Sequence, residues 1–166
     1  DADYSLIEID DISTIDMVIA KCGLSGFNVT IPYKESIIPY LDELSPEAEA
    51  VGAVNCVVVK DGRKIGYNTD ITGIEATIEW LDKSNALILG TGGASKAVQY
   101  VCKRHNIPFD LVSRDISRGK YTYDTLTADV IAEHLLIINT TPVGMSPNIE
   151  ESPALPYDAI TDRHCV

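Results

Sequence analysis

The sequence has 166 residues, 45% of them hydrophobic, and a formal net charge of -12 at pH 7. This length and apolar content suffice for the core of one domain or of two small ones. Nucleic acid is disfavoured as a partner, because only 13 Lys and Arg are present and binding phosphates requires such residues to be clustered. No run approaches the roughly 18 apolar residues of a membrane span, and no basic and apolar leader is visible. We therefore expect a cytoplasmic protein without a membrane partner.

The four cysteines are scattered, with no CxxC pair and no histidines at ligand spacing. This spacing predicts neither a zinc site nor a disulfide framework. We expect no metal, and reduced thiols that are mostly buried. The chain starts at Asp1 without a methionine and ends just after an apparent strand start, so a fragment of a longer protein is expected.

The first residues predict one strand and one helix. Residues 4–9 are strand-like, and Asp10 or Asp11 is placed to cap a short helix over residues 12–20. A glycine-bounded turn over residues 23–26 then leads into the next strand.

The stretch at residues 26–34, GFNVTIPYK, alternates apolar and polar residues and then meets a proline. Period two predicts a strand that ends at Pro32, followed by a helix over residues 33–44. Lys34 then falls in the first turn of that helix, where the helix dipole disfavours an ammonium by about 0.3 to 1 kcal/mol. A lysine that departs from a local preference invites a functional explanation. An exposed, solvated lysine is the alternative.

A hairpin and a connecting helix complete the first half. After GAVN at residues 52–55, a β-branched run is followed by Asp61 and Gly62, a dipeptide that predicts a two-residue hairpin turn. Asp70 then precedes a helical apolar pattern, so we expect it at the N-terminus of a helix, where simple capping is the alternative role. The polar residues 82–85 suggest a boundary, which gives one lobe over residues 1–82 and a second over residues 83–166.

The second lobe opens with a strand, a glycine turn and a helix. The turn is GTGGAS at residues 90–95. Glycines in such a turn let a pyrophosphate approach the backbone amides at the helix N-terminus. Ser95 stands where the motif has glycine or alanine, so a plain tight turn is the alternative. Because Lys96 follows serine and not glycine, a Walker A site is excluded.

If the glycine turn binds the pyrophosphate of a dinucleotide cofactor, the ribose of that cofactor is expected at SRDISR, residues 113–118, about twenty residues beyond the glycines. Arg114 and Arg118 offer planar, paired donors to a 2′-phosphate and favour NADP. Asp115 favours NAD, since a carboxylate at this place hydrogen-bonds a ribose 2′-hydroxyl, and plain surface arginines are the remaining alternative. A further buried strand over residues 135–138 ends at NTTPVGM, residues 139–145, and ligands lie at such strand ends in open α/β sheets.

Six blocks in this order resemble the shikimate dehydrogenase family, whose members reduce 3-dehydroshikimate with NADPH in aromatic amino-acid biosynthesis. The blocks are GFNVTIPYK, GAVN, GYNTD at residues 66–70, GTGGAS, SRDISR and NTTPVGM. The resemblance covers nearly the whole chain. It implies an α/β protein in which a substrate-binding lobe with a hairpin precedes a Rossmann-like dinucleotide-binding lobe, both incomplete, in a monomer or homodimer.

The resemblance also implies roles for particular residues. Lys34 and Asp70 look like the catalytic pair, while Thr30, Asn55 and Asp70 look like ligands for the substrate's hydroxyls. Hydride transfer to a ketone leaves an alkoxide, which an ammonium at Lys34 would stabilise and protonate. The cofactor-binding set is Gly90, Thr91, Gly92, Gly93 and Ala94 at the pyrophosphate, Ser113, Arg114 and Arg118 at the ribose phosphate, and Met145 beside the nicotinamide.

The chain departs from the family pattern at both ends and at the ribose site. Neither the serine loop that grips the substrate carboxylate nor the later tyrosine and glutamine segments is visible. Ser113 and Asp115 replace the expected asparagine and threonine. A quinate dehydrogenase that uses NAD and a non-catalytic ligand-binding module are the alternatives. Taken alone, these 166 residues are expected to be a poor dehydrogenase.

Overall fold

The computed structural model describes residues 3–78 and 85–166. Packing divides the chain into two compact units, Asp1–Asn68 and Thr69–Val166. The boundary predicted between residues 82 and 83 lies outside the described residues. Both units combine helices with a sheet, so the predicted α/β class is confirmed.

The first unit contains a mixed four-stranded sheet. Its strands are β1 (Gly26–Asn28), β2 (Glu43–Leu44), β3 (Cys56–Lys60) and β4 (Arg63–Tyr67), in the spatial order β1-β3-β4-β2. Strand β3 is antiparallel to β1 and β4, whereas β2 is parallel to β4. Asp61 and Gly62 have φ values of 52° and 76°, as a type I′ hairpin turn requires, so the predicted hairpin is confirmed.

Among the described residues, the first unit contains two α-helices; the first follows a capped 3₁₀ turn, and the second has its own side-chain cap. A 3₁₀ turn with Asp11 as its N-cap leads into α1 (Ile15–Cys22), and the Asp11 carboxylate accepts from Ser13 N at 2.9 Å. Helix α2 (Pro46–Val51) begins after Ser45, whose Oγ accepts from Ala48 N. These caps satisfy amides that helix geometry leaves without partners. The unit's core contains Ile15, Val29, Ile37, Ala48, Val54 and Val57.

The helix predicted over residues 33–44 is wrong. Turns and one 3₁₀ turn, Ile38–Tyr40, occupy this stretch before β2. Pro39 would lie in the interior of that helix, where it has no N–H to donate and its ring clashes with a carbonyl of the preceding turn. The edge of β4 also offers partners: Asp42 N donates to Lys64 O at 2.9 Å, and Lys64 N donates to the Asp42 carboxylate at 2.7 Å. Lys34 therefore lies in a turn and not at a helix N-terminus, and the dipole argument for its role does not apply.

The strand predicted over residues 4–9 is also wrong. None of these residues is in a strand, and Tyr4 and Leu6 are 82% and 86% exposed. Strand β1 is shorter than predicted, so that Val29 is buried while Ile31 is 57% exposed. Alternating polarity persists beyond Asn28, but after the hydrogen bond from Val29 N to Asn55 O the chain enters a turn, in which Tyr33 N donates to Thr30 O.

The second unit is built on a parallel three-stranded sheet. Strand β5 (Ala86–Leu89) lies between β6 (Phe109–Val112) and β7 (Leu136–Asn139). Every residue of β5 is buried, as expected for a central parallel strand. The core on this sheet contains Leu87, Leu89, Val112, Ile131 and Ile137.

The described part of the second unit contains three α-helices: α3 (Asp70–Ile78), α4 (Gly93–Arg104) and α5 (Ala128–Glu133). Helix α3 packs against α4, where the Glu75 carboxylate lies 3.3 Å from Arg104 Nη1 and 3.4 Å from His105 Nε2. Helix α5 was not predicted from the sequence. It has only six residues, and Thr127 caps it by accepting from Val130 N.

The four cysteines are free, and the prediction that their thiols are mostly buried is wrong. Only Cys102, on the packed face of α4, is buried, and burial raises the pKa of its thiol to about 11. Cys22 and Cys165 are exposed. Within residues 3–78 and 85–166, no helix has the length and apolar character needed to cross a membrane. In the same part of the chain, His, Cys, Asp and Glu form no group of three arranged as metal ligands.

A buried histidine links β6 to α5. His134 is 2% exposed, and its ring nitrogens lie 2.6 Å from Val130 O and 3.0 Å from Asp110 Oδ2. Lys120 Nζ donates to the same Asp110 oxygen at 2.7 Å. Burial alone raises the pKa of Asp110, but the hydrogen bonds from Lys120 and His134 outweigh it, and the pKa is lower than its ordinary value.

We expect Asp110→Asn to destabilise the protein in a pH-dependent manner. A lowered pKa means that the carboxylate stabilises the fold above its unfolded pKa of about 3.9 and loses this effect as the pH falls through the folded pKa. The free energy of unfolding should fall by about 1 to 3 kcal/mol at neutral pH, and the loss should shrink in acid. Urea unfolding at both pH values measures this. The exposed-site control Asp162→Asn should change little, and an equal loss at both pH values for Asp110→Asn would contradict the account.

Candidate functional site

The segment at residues 52–55 joins the motif-bearing parts of the first unit. Val54 N donates to Lys34 O at 2.7 Å, and Asn55 O accepts from Val29 N at 2.8 Å, so this segment holds the 26–34 stretch at two points. On its other side, Asn55 N donates to Tyr67 O at 3.0 Å, which holds the end of β4. Three blocks that are separate in sequence therefore share one hydrogen-bonded framework.

Three predicted site residues lie on this framework. Thr30 follows buried Val29 and is exposed, while Lys34 and Asn55 are half-buried. A tight turn brings the chain from Thr30 to Lys34, since Tyr33 N donates to Thr30 O at 2.8 Å. The Ile31-Pro32 peptide within it is cis. The fold thus gathers a hydroxyl, an ammonium and an amide in one unit.

Asn68 is a residue of this framework that sequence reasoning missed. It is 6% exposed, and its Nδ2 donates to Ala53 O at 2.9 Å. Its Oδ1 is buried and has no hydrogen-bond partner among the described residues. One such bond contributes about 0.5 to 1.5 kcal/mol, whereas a buried polar atom without a partner costs about 1 to 3 kcal/mol. Asn68 therefore satisfies the buried carbonyl of Ala53 while its own Oδ1 carries a cost, and only its place inside GYNTD offered a signal in the sequence.

Asp70 is the first residue of α3, which is the position that its sequence context predicted. The division between the units falls after Asn68, so Asp70 belongs to the second unit and Lys34 to the first. The convergence of Lys34 and Asp70 on one substrate stays a prediction.

The glycine turn in the second unit is open at the start of α4. Gly92 is the N-cap residue, no side chain caps the helix, and a Cβ added at Gly92 would have no atom within 4 Å. The uncapped amides and the positive end of this 12-residue helix suit a pyrophosphate. Ser95 fits in place of the expected small residue, because it is fully buried and its Oγ donates to Gly90 O at 2.7 Å. The start of α4 therefore offers backbone amides to an anionic ligand, and dinucleotide binding by Gly90 to Ala94 stays a prediction.

The loop after β7 packs against this turn. Gly90 has a φ of 105°, and a Cβ there would lie 2.9 Å from Thr140 Oγ1 and 3.1 Å from Thr141 Cγ2. Thr140 Oγ1 in turn donates to Leu89 O at 2.6 Å. The loops after β5 and β7 are therefore in contact, as the parallel sheet requires. Met145, further along the same loop, is 57% exposed.

The loop after β6 brings one arginine to the glycine turn. Arg118 Nη2 donates to Thr91 O at 3.1 Å, while Arg114 is exposed. The Asp115 carboxylate accepts from Ser117 N at 2.9 Å, and this hydrogen bond is the main reason that the pKa of Asp115 is lowered. Ser113 is 6% exposed, and its Oγ accepts from Asp115 N at 3.2 Å. Asp115 thus caps the 3₁₀ turn that carries Arg118.

The two units together define an α/β protein in which a mixed-sheet unit precedes a Rossmann-like one. Residues 1–57 match the family model of the shikimate dehydrogenase substrate binding domain. The chain is 41% identical over 176 residues to shikimate dehydrogenase (NADP(+)) of Methanococcus maripaludis, an alignment that covers 95% of this chain and 63% of that protein. The chain is therefore similar to shikimate dehydrogenases over most of its own length. It spans 55% to 64% of the length of the curated relatives that it matches.

Solved structures support the fold over most of the chain. Shikimate 5-dehydrogenase from Thermus thermophilus, in complex with NADP(H) and shikimate, is 28% identical with a TM-score of 0.74, and the match covers 92% of this chain and 60% of that one. Quinate dehydrogenase from Corynebacterium glutamicum, in complex with NAD, is also 28% identical, with a TM-score of 0.77 and coverage of 93% and 62%.

We expect Gly90→Ala and Gly92→Ala to differ in their effect on stability. Alanine at position 90 combines a positive φ with contacts below 3.2 Å, so the free energy of unfolding should fall by about 1 to 3 kcal/mol. Alanine at position 92 has open space and an extended backbone, so its cost should stay below about 1 kcal/mol. Chemical denaturation of both variants checks this, and equal losses would contradict the close packing of the two loops.

Proposed function

We propose that this chain carries the substrate- and NADP-binding residues of a shikimate dehydrogenase, which reversibly reduces 3-dehydroshikimate to shikimate in aromatic amino-acid biosynthesis. One observation carries the proposal: the three blocks of the second unit follow the carboxyl ends of β5, β6 and β7, where open α/β sheets bind ligands. The relatives named above support the choice of substrate and cofactor. In this proposal residues 1–82 form the substrate-binding lobe and residues 83–166 the NADP-binding lobe.

On the substrate side, Thr30, Asn55 and Asp70 bind hydroxyl groups, and Lys34 and Asp70 are the catalytic pair. The nicotinamide cofactor supplies the hydride when it is bound. Lys34 offers its ammonium to the oxygen that gains negative charge, and it then donates the proton that completes the alcohol. Asp70 keeps that ammonium charged and oriented. Such a pair requires no metal.

On the cofactor side, the amides of Gly90, Thr91, Gly92, Gly93 and Ala94 receive the pyrophosphate. Arg114 and Arg118 bind the 2′-phosphate beside Ser113, and Met145 lies beside the nicotinamide. The hydrogen bond from Arg118 to Thr91 O supports this proposal, because it brings a guanidinium to the turn that receives the pyrophosphate. The Asp115 carboxylate is directed to Ser117 N, which lessens its conflict with a phosphate.

A quinate or shikimate dehydrogenase that uses NAD is the second candidate. It is favoured by Asp115 and by the similarity to the quinate dehydrogenase structure in complex with NAD. A ligand-binding module without catalysis is the third. We also propose a cytoplasmic location and a monomeric or homodimeric state.

Steady-state turnover of the natural full-length protein tests the proposal. Shikimate and quinate should each be offered with NADP+ and with NAD+, and formation of the reduced cofactor followed by absorbance. The highest kcat/KM should be found for shikimate with NADP+. A preference for quinate or NAD+ would favour the second candidate, and dinucleotide binding without turnover of either acid would favour the third.

We expect Lys34→Ala to reduce turnover far more than substrate affinity. The ammonium contributes mainly where negative charge develops, in the transition state, so kcat should fall by about a hundredfold or more while KM changes severalfold. Lys21→Ala, at an exposed lysine of α1, is a matched control that should keep normal kinetics. A rise in KM with kcat unchanged would indicate that Lys34 only binds substrate.

We expect Arg114→Ala to raise KM for NADPH by about tenfold or more, because hydrogen bonds to a charged group contribute about 1.5 to 3 kcal/mol. KM for NADH should change little, since NADH has no 2′-phosphate. Initial rates over a range of each cofactor measure this. Arg163→Ala, at another exposed arginine of the second unit, should leave both values unchanged. Similar effects of Arg114→Ala on NADPH and NADH would refute the assignment.

A further inference from the structure

We propose that Asn68 is a positioning residue of the substrate site, which holds Ala53 and thereby sets the placement of Asn55 and Lys34. The proposal deepens the function proposed above and rests on it for the kinetic effects, but the structural effect can be measured without it. Asn68 does not act on substrate directly, because its Oδ1 is buried and its Nδ2 is bonded to Ala53 O.

The orientation of the Asn68 amide is fixed by its neighbour. Only Nδ2 carries hydrogens, and a flipped amide would place two acceptor oxygens face to face. Asn68 is 6% exposed, and both Ala53 and Val54 are fully buried. The hydrogen bond of 2.9 Å is therefore shielded from water, and its length constrains where the Ala53 carbonyl lies.

The constraint passes along the backbone to the residues proposed to bind substrate. The peptide after Ala53 supplies Val54 N, which donates to Lys34 O at 2.7 Å. In the next residue, Asn55, the backbone oxygen accepts from Val29 N and the backbone nitrogen donates to Tyr67 O. A displaced Ala53 carbonyl would thus shift the backbone from which Lys34 and Asn55 extend.

The bond from Asn68 satisfies the carbonyl of Ala53, which is fully buried, while the buried Oδ1 of Asn68 has no partner among the described residues. An apolar side chain of similar volume would remove the second cost but would take the Asn68 donor away from Ala53 O. Asn68 gives the framework a directional contact that leucine does not provide. Its effect is therefore expected in the geometry of the site, beside any change in the free energy of unfolding.

Amide hydrogen exchange tests the positioning role directly. In Asn68→Ala and Asn68→Leu, the amides of Val54 and Asn55 should exchange about tenfold faster or more. The amide of Val59 lies near the far end of β3 and donates to Ser25 O at 2.9 Å. It is the internal control and should keep its exchange rate. Unchanged exchange at Val54 and Asn55 in both variants would overturn the proposal, whatever the activity.

Kinetics of the natural full-length protein supply a second readout. In both variants, KM for shikimate should rise about tenfold or more, while KM for NADP+ should stay within about twofold because its proposed contacts lie in the second unit. Ile15→Val, a conservative change at a buried residue of α1, is the control for a small loss of stability and should change neither KM.

Equal changes in both KM values, or the same KM rise in Ile15→Val, would overturn the positioning role and indicate a general structural effect. If the unsubstituted protein turns over neither shikimate nor quinate, the proposed function fails. Hydrogen exchange alone then decides whether Asn68 positions Ala53.

Discussion

The first unit depends on the backbone hydrogen bonds of residues 52–55. This short segment bonds to Val29, Lys34 and Tyr67, so it aligns the turn after β1 with the end of β4. Strand pairing alone would not fix the position of the turn after β1 relative to the end of β4. Because the bonds use backbone atoms, they fix where side chains leave the main chain without fixing which side chains those are. The same framework can therefore carry substrate-binding groups whose identity is set separately by sequence.

In the second unit, a parallel sheet brings separate segments of the chain together. Parallel strands end at the same edge, so the loops after β5, β6 and β7 meet without long-range side-chain bonds. Two contacts then make the arrangement specific: the Gly90 backbone lies against Thr140, and Arg118 reaches Thr91 O. Glycine at position 90 therefore serves the packing of two loops as well as the tight turn.

Several polar side chains of the GTGGAS and SRDISR blocks form hydrogen bonds inside the fold. Ser95 bonds to Gly90 O, Asp115 caps a 3₁₀ turn, and Ser113 accepts from Asp115 N. Such local bonds compete with ligand binding for the same atoms. For Asp115 the consequence is favourable to a phosphate, because a carboxylate committed to a backbone amide is less able to receive a ribose hydroxyl. Asp115, which departs from the family pattern, thus has a structural role as the cap of a 3₁₀ turn.

The sequence by itself determined the elements that depend on near neighbours. The hairpin at Asp61 and Gly62, the strand, glycine turn and helix around Gly90, and the parallel strands follow from turn chemistry and from apolar runs. Tertiary structure decided the stretch 33–44, whose last residues pair with the edge of β4 and which forms no α-helix, and the packing of α3 with the second unit. It also decided the role of Asn68, whose partner Ala53 is 15 residues away. The physical reason is the same in each case. The partner that satisfies the backbone or the amide is distant in sequence, so the local sequence pattern does not predict the contact.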